Sequence, residues 1–311
     1  AWAAWITIQV GCDNRCAFCI VPAVRGREIS RPLAEVVAEV EALAAAGTVE
    51  VTLLGQNVNS YGRDITRRGP LFAELLRAVG AVEGIRRVRF TSPHPKDLRP
   101  DTIAAMAEVD AVCPHLHLPL QSGSDAVLAA MHRGYTAERY LAKLAAARAA
   151  VPDLAVTTDV IVGFPGETDD DFARTLTVVA EAAYDSAYTF VFSPRSGTEA
   201  AAFADRFVPD EVVAERFERL KVVLERSAVH RHQARVGRVE EVLVEGPSRK
   251  RAEILAGRTE QNKLLHLPGR LAPGTFARVE VTAAAAHHLS GELVEVTARP
   301  RHRTRIPVSS G

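Results

Sequence analysis

Two kinds of hydrophobic pattern alternate along the first two thirds of the chain. Short runs rich in β-branched residues, typical of buried strands, alternate with Ala- and Leu-rich segments whose charges recur at helical spacing. The predicted strands are residues 5–10, 50–55, 86–92, 115–121, 154–164 and 186–193. The predicted helices are residues 31–47, 136–150, 168–183 and 209–228. We expect Ser30 to be the N-cap of the first helix, with Pro32 in its first turn and Gly47 at its end.

This strand–helix alternation predicts an α/β fold with a parallel sheet and right-handed crossovers. A doubly wound sheet and a full or partial TIM-like barrel both satisfy the pattern. In either fold the functional groups lie at the carboxyl ends of the strands. Polar, Gly-rich stretches follow five of the strands, and their sequences are GCDNRC, GQNVNSYG, QSGSD, GFPGET and SPRSGT. Any one of them alone would be an ordinary turn, but together they indicate a site at one end of the sheet.

The pattern changes after the long helix near residues 209–232. Residues 236–298 alternate at period two and are interrupted by Gly and Pro, which predicts a small antiparallel barrel of about five strands. We therefore divide the chain into an α/β domain, residues 1–232, a barrel, residues 233–298, and a basic tail, residues 299–311, predicted to be disordered. Because the strand-end site lies in the α/β domain, we refer to it as the candidate catalytic domain, or catalytic domain for short.

Composition and charge argue against a membrane protein and a disulfide-rich protein but do not identify a binding partner. The chain has 311 residues, 47% of them hydrophobic, with 38 basic and 38 acidic residues. From residue 230 onward 14 residues are basic and 8 are acidic, which indicates an anionic partner or a chance arrangement of solvated charges. No run of about 18 apolar residues or signal peptide is evident, so we expect no membrane segment. Four cysteines in a chain of this length favour a cytoplasmic protein with metal-binding thiols over a disulfide framework.

Three of the four cysteines, Cys12, Cys16 and Cys19, lie in the single stretch GCDNRCAFC. A structural zinc site prefers four ligands, and the other candidates, His115 and His117, are distant and equally consistent with a core position. Three thiolates can instead hold a cubane iron–sulfur cluster whose fourth iron is open to an external ligand. Cys113 is alone, and we expect it to be a buried free cysteine.

The C-x3-C-x2-C spacing, with Phe18 before the last cysteine, resembles the signature of the radical S-adenosylmethionine (SAM) enzymes. The stretches GCDNRCAFCIVPAVRGREISRP, VTLLGQNVNSYG, HLHLPLQSGSD, DVIVGFPGET, FSPRSGT and GRTEQN resemble the methylthiotransferase family within that superfamily. The closest resemblance is to the branch that acts at C2 of N6-isopentenyladenosine beside the tRNA anticodon. Branches that act on threonylcarbamoyladenosine in tRNA or on ribosomal protein S12 remain alternatives, as does a zinc-stabilised RNA-binding protein without redox chemistry.

The resemblance implies an open TIM-like (βα)6 partial barrel followed by a small β-barrel called TRAM. It implies a 4Fe-4S cluster on the three cysteines and SAM on its open iron, where reductive cleavage releases a 5′-deoxyadenosyl radical. The residues that it implies for cofactor binding are Gly55, Gln56, Asn57, Gln121, Ser122, Asp159, Gly163 and Glu167. The arginines and lysines that we expect to contact substrate are Arg25, Arg195, Arg249, Lys250, Arg251, Arg258 and Lys263.

Family members also carry an N-terminal domain with three further cysteines, which implies a second 4Fe-4S cluster. The sequence here starts at the first predicted strand, so we expect a fragment that cannot complete sulfur insertion alone. The expected partners are the tRNA anticodon stem-loop, SAM and an electron donor such as flavodoxin or ferredoxin, and the expected state is a cytoplasmic monomer.

Overall fold

A computed structural model describes residues 1–66, 69–249 and 251–300. Lys250 and residues 301–311 of the predicted tail lie outside this range. The strands are β1 Ala3–Thr7, β2 Gln9–Val10, β3 Ile29–Ser30, β4 Glu50–Leu54, β5 Arg87–Phe90, β6 His115–His117, β7 Ala155–Val162, β8 Ser186–Val191, β9 Val239–Pro247, β10 Ile254–Thr259, β11 Leu264–Pro268, β12 Phe276–Ala284 and β13 Leu289–Ala298. The α-helices are α1 Val21–Arg25, α2 Leu33–Ala45, α3 Arg63–Thr66, α4 Phe72–Gly80, α5 Pro100–Glu108, α6 Asp125–Ala130, α7 Ala137–Ala150, α8 Asp169–Ala182 and α9 Asp210–Gln233.

Six parallel strands form the catalytic domain, as the alternating pattern predicts. Strands β1, β4 and β5 make one parallel group and β6, β7 and β8 another. A parallel bridge between Val88 and Val112 joins the two groups, so the strands follow one another in chain order. Helices pack outside the strands around a core that includes Ile6, Leu53 and Val160. The resulting α/β architecture is an open partial barrel, whose inner space we call the lumen.

The structure corrects three details of the predicted elements. Ser30 does not cap the first long helix, because it pairs in β3 and its hydroxyl accepts a hydrogen bond from the Gly62 amide; Pro32 occupies the cap position. The first predicted strand is divided into β1 and β2. The fourth ends at His117, and Gln121 forms only an isolated bridge to Val160.

The C-terminal strands close into a five-stranded barrel in the order β10-β11-β13-β12-β9. Its core includes Val242, Leu265 and Val279, the apolar positions of the period-two pattern. The prediction of a purely antiparallel barrel is wrong at one seam, where β11 and β13 pair in parallel. Alternation of apolar and polar residues fixes which face is buried but not the direction of a neighbouring strand.

The small barrel docks against the amino ends of the catalytic strands. Arg87, with an exposure of 1%, donates to the carbonyl oxygens of Arg258 and Glu241 at 2.8 and 2.9 Å. Arg89 donates to the carbonyl oxygens of Thr259 and Glu260, both at 2.9 Å. Backbone carbonyls of one domain therefore accept hydrogen bonds from buried guanidinium groups of the other, and the Arg87 Nε atom is left buried without a partner. Within the described residues, no helix is both long and apolar enough to cross a membrane.

Candidate functional site

The cysteine loop, residues 11–20, leaves the carboxyl end of β2 and leads into α1. Gly11 has a φ of 75°, and a Cβ atom there would lie 2.0 Å from the Arg27 carbonyl oxygen, so this sharp entry requires glycine. The amide of Ala17 donates to the Met131 carbonyl, and the Ala17 carbonyl accepts from the Ala200 amide. The loop is thereby attached to two other segments of the domain.

The loop contains three free thiols. Cys12 is buried, whereas Cys16 and Cys19 are half-buried. Burial raises the pKa of the Cys12 thiol, and the nearby Cys16, Glu28 and Cys19 raise it further. Within the described residues, no group of three or more His, Cys, Asp or Glu side chains is placed to hold a metal ion. By donor chemistry, three soft thiols spaced along one loop suit an iron–sulfur cluster with an open iron better than a closed zinc site, which prefers four ligands.

A cavity of about 340 Å³ lies beside the cysteine loop at the carboxyl ends of the strands. Its lining brings together three of the sequence-predicted residues, Gln121, Asp159 and Arg195, with Phe18 of the cysteine loop. The Gln121 Oε1 atom is buried and has no hydrogen-bond partner in the structure, and Gln121 has a positive φ of 67°. A strained residue with an unpartnered buried oxygen at a cavity is a sign of ligand binding.

The GQN stretch, Gly55 to Asn57, follows β4, and its three residues differ in their contacts and in whether their polar atoms have partners. A Cβ at Gly55 would lie 2.8 Å from the Gln9 side chain, so the backbone approaches its neighbour closely. Gln56 keeps a buried Oε1 without a partner. Asn57 has an exposure of 2% and donates to Asp97 at 2.8 Å, so its side chain fixes the loop rather than reaching a cofactor.

Three other residues expected at the cofactor have structural contacts. Ser122 is buried, and its hydroxyl bonds to the Thr175 hydroxyl at 3.2 Å. Glu167 is buried; it accepts from the Gly163 amide at 3.2 Å and from Arg216 at 2.9 Å. Ser122 and Glu167 therefore brace the strand-end loops, which corrects the expectation of direct cofactor contact by their side chains. The positive φ of Gly163, 75°, permits this turn.

The basic residues separate into exposed and buried positions. Arg25 and Arg195 are exposed at the carboxyl ends of the strands, and Arg249 and Arg251 are exposed on the small barrel. The expectation that Lys263 contacts RNA is wrong, because it has an exposure of 4% and pairs with Asp185 at 2.5 Å in the domain interface. Arg258 is half-buried and bonds to the Asn262 carbonyl, so it also supports the barrel loop.

Sequence reasoning missed a buried arginine below the cysteine loop. Arg133 donates to the Cys16 Sγ atom at 3.3 Å. Sequence reasoning also missed the polar face of the strands that borders the lumen. There the two ring nitrogens of His117 lie 3.0 Å from the Thr157 hydroxyl and 3.3 Å from the Asp159 carboxylate, and the Tyr188 side chain is 65% exposed. Period-two alternation along β6, β7 and β8 could have placed these side chains on one face. No local signal joins Arg133 to a cysteine 117 positions earlier.

Residues 6–179 match the Radical SAM superfamily, and residues 233–294 match the TRAM domain. Strand order, cysteine loop and cavity agree with that match, and the chain belongs to the radical SAM superfamily. Membership implies a 4Fe-4S cluster and SAM.

Its sequence is similar to two curated relatives with the same description. It is 54% identical over 304 residues to the tRNA-2-methylthio-N(6)-dimethylallyladenosine synthase of Acidothermus cellulolyticus, with 96% of this chain and 61% of that protein covered. The synthase of Streptomyces coelicolor is 52% identical over 298 residues, with 94% and 59% covered. The chain thus spans about three fifths of these relatives.

Solved structures resemble the fold at much lower identity. A radical SAM methyltransferase from Kitasatospora setae has a TM-score of 0.53 and 19% identity, with 64% of this chain and 36% of that chain covered. Coproporphyrinogen III oxidase from Escherichia coli has a TM-score of 0.50 and 14% identity, with 83% and 66% covered. These similarities support the architecture alone.

Proposed function

We propose that this chain is the radical SAM and TRAM portion of a tRNA methylthiotransferase. Its substrate would be N6-isopentenyladenosine next to the anticodon, and the methylthio group would be added at C2. One observation carries the proposal: identity of 54% to such a synthase extends over 96% of the chain, and so includes the cysteine loop, the cavity and the barrel.

The side chains that would hold the cofactors lie at the carboxyl ends of the strands. Cys12, Cys16 and Cys19 would ligate the cluster, and the adjacent cavity would take SAM against Phe18 and the unpartnered Gln121. When bound, the cluster would supply the electron that cleaves SAM reductively. The protein's own contribution is to orient these groups and to restrict water, which protects reactive species.

The side chains on the lumen face beside this cavity are of the kinds that bind a flat heteroaromatic base. Tyr188 is the register partner of Asp159, so both side chains lie on the same face of the sheet. The exposed Tyr188 ring can stack on a base, and His117 and Asp159 can bond to its polar edge. We propose that the target adenine enters here, beside the SAM cavity.

The exposed arginines would bind the phosphate backbone of the anticodon stem-loop. Arg249 and Arg251 stand on the small barrel, and a groove of about 490 Å³ beside Arg251 contains the paired rings of His266 and His288, 4.9 Å apart. Arginine–phosphate contacts of this kind release counterions, so affinity should fall steeply with salt.

Further parts of the proposal concern partners. A second cluster from an additional domain, an electron donor of the flavodoxin or ferredoxin kind and a monomeric state are consistent with the reaction. A cytoplasmic location supplies tRNA and keeps thiols reduced, and the four cysteines described here are free.

Anaerobic reconstitution of single-cysteine variants tests the cluster assignment. C12A, C16A and C19A should each lose iron and sulfide together with reductive SAM cleavage. C113A is the matched control, because Cys113 is a free buried cysteine outside the loop. Full cluster content and SAM cleavage in any of the three loop variants would remove that residue from the site. A colourless wild-type chain with stoichiometric zinc would refute the enzyme class.

Binding to anticodon stem-loops tests the substrate assignment. A stem-loop with N6-isopentenyladenosine should bind more tightly than the same RNA with unmodified or threonylcarbamoylated adenosine. Y188A should reduce this preference while leaving SAM cleavage without RNA intact. Equal binding of all three stem-loops, or preference for ribosomal protein S12, would contradict the assignment.

A further inference from the structure

Arg133 lies in the turn between α6 and α7, directly below the cysteine loop. It has an exposure of 6%, and its Nη1 atom donates to the Cys16 Sγ atom at 3.3 Å. Its Nε atom bonds to the Tyr135 hydroxyl at 3.3 Å, and that hydroxyl donates to the Leu120 carbonyl at 2.8 Å. The guanidinium group is therefore held in one place against a thiol.

No carboxylate balances this buried charge: within the described ranges, Arg133 forms no ion pair with Asp or Glu. The other buried arginines of the catalytic domain have one, as in the pairs Arg89–Glu50 and Arg216–Glu167. A buried charge without a counter-ion is strongly unfavourable. An anion near Cys16 would remove that penalty.

The charged groups around Arg133 leave a net positive charge beside the cysteine loop. Lys96 bonds to Asn14 of the cysteine loop at 2.7 Å. Burial, with the nearby Arg133 charge, lowers the pKa of His94 to about 2, so that imidazole is neutral. The Asp97 carboxylate lies 2.8 Å from Arg63 and 4.0 Å from Lys96, so its single negative charge is shared by two cations other than Arg133. The underside of the loop is thus cationic.

We infer that Arg133 is a positioning residue that raises the reduction potential of the iron–sulfur cluster held by Cys12, Cys16 and Cys19. The inference rests on the proposed function, since it requires a cluster on these cysteines. One-electron reduction adds one negative charge to a cluster. A fixed cation hydrogen-bonded to a ligand sulfur stabilises the reduced form more than the oxidised form, and hydrogen bonds and charge are known determinants of cluster potential.

The test is a redox titration of the anaerobically reconstituted chain, with dithionite as reductant and electron paramagnetic resonance as readout. The variants are R133Q, which removes the charge, and R133K, which keeps it. R139Q is the control, because Arg139 is exposed on α7. We expect R133Q to lower the midpoint potential, R133K to lie between R133Q and wild type, and R139Q to match wild type.

Iron and sulfide content separates an electrostatic role from a purely structural one. A cluster retained in R133K but absent in R133Q also supports the inference, because the two variants differ in charge. An unchanged potential in a fully loaded R133Q overturns it, as does equal loss of the cluster in both variants. If the wild-type chain forms no cluster, the proposed function fails and the inference fails with it; a loaded wild type with insensitive variants refutes the inference alone.

Discussion

Replacing Lys263 by methionine tests whether the small barrel is an integral part of the catalytic fold. Lys263 and Asp185 are almost fully buried, with side-chain exposures of 3% and 7%, and their atoms are 2.5 Å apart across the domain interface. Burial lowers the pKa of Lys263 despite Asp185, which indicates that the intact pair contributes little net stability. The effect of K263M should instead come from the carboxylate that it leaves behind.

The expected magnitude follows from the surroundings of Asp185. Removing one partner of a buried ion pair destabilises a protein by about 3–5 kcal/mol. Asp185 keeps one hydrogen bond, from the Val156 amide at 2.9 Å, so we expect the lower end, about 3 kcal/mol. The double variant D185N/K263M should recover more than half of that loss, because no unpaired charge remains.

Urea unfolding followed by far-ultraviolet circular dichroism measures these free energies. Arg278 and Glu295 form a matched exposed pair on the same barrel, at 2.9 Å with exposures of 52% and 53%. R278M should change the free energy of unfolding by less than about 1 kcal/mol. A K263M protein as stable as R278M, or a double variant less stable than K263M, would refute the argument.

Three other substitutions have defined outcomes. G11A should lower the iron bound per chain, because its Cβ would overlap a carbonyl oxygen, whereas G26A, with the same φ of 75° and open space, should retain more. E167A should destabilise the fold by about 3 kcal/mol in urea unfolding, because it leaves the buried Arg216 with only an exposed carboxylate. Burial lowers the pKa of His232 from 6.5 to about 4 in the folded protein. Because the unfolded chain binds this proton at a higher pH than the folded protein, the free energy of unfolding should fall as the pH is lowered from 6.5 to 4. H232Q should flatten this part of the stability profile.

Contrary results are equally specific. Full iron in G11A would show that the loop tolerates a different entry. Wild-type stability of E167A would show that Arg216 finds another partner. An unchanged slope between pH 4 and 6.5 in H232Q would assign the acid sensitivity to other groups.

The sequence predicted the local elements well because each carries its own periodic signal. The β-branched runs became β4, β5, β7 and β8 with bounds shifted by a residue or two, and the cysteine loop follows the first predicted strand region. Caps were less predictable. Ser30 is a residue type that often caps helices, but its hydroxyl accepts a hydrogen bond from the Gly62 amide instead of from a helix amide. A tertiary contact thus outweighed a local preference.

The candidate site was predictable only where function depends on spacing along the chain. The assignment of Cys12, Cys16 and Cys19 to the cluster rests on their spacing in one loop and stays a prediction. The roles of Glu167 and Lys263 could not, because their partners Arg216 and Asp185 lie 49 and 78 positions away. A charged side chain at a strand-end motif looks the same in sequence whether it faces a ligand or a buried counter-ion.

The amino ends of the catalytic strands contact the small barrel, whereas their carboxyl ends carry the candidate site. Strand β5 shows the first of these contacts. Arg87 and Arg89 are two positions apart on this strand and so point to the same face, where carbonyl oxygens of the small barrel accept hydrogen bonds from them. The cysteine loop and the cavity occupy the opposite, carboxyl end. The GRTEQN segment of the barrel contacts the catalytic domain through its backbone. The carbonyl oxygens of Arg258, Thr259 and Glu260 accept hydrogen bonds from the two β5 arginines, so these oxygens are not available to bind RNA. The barrel therefore covers the amino ends of the catalytic strands. This contact fixes the orientation of its exposed arginines relative to the cysteine loop and cavity at the carboxyl ends.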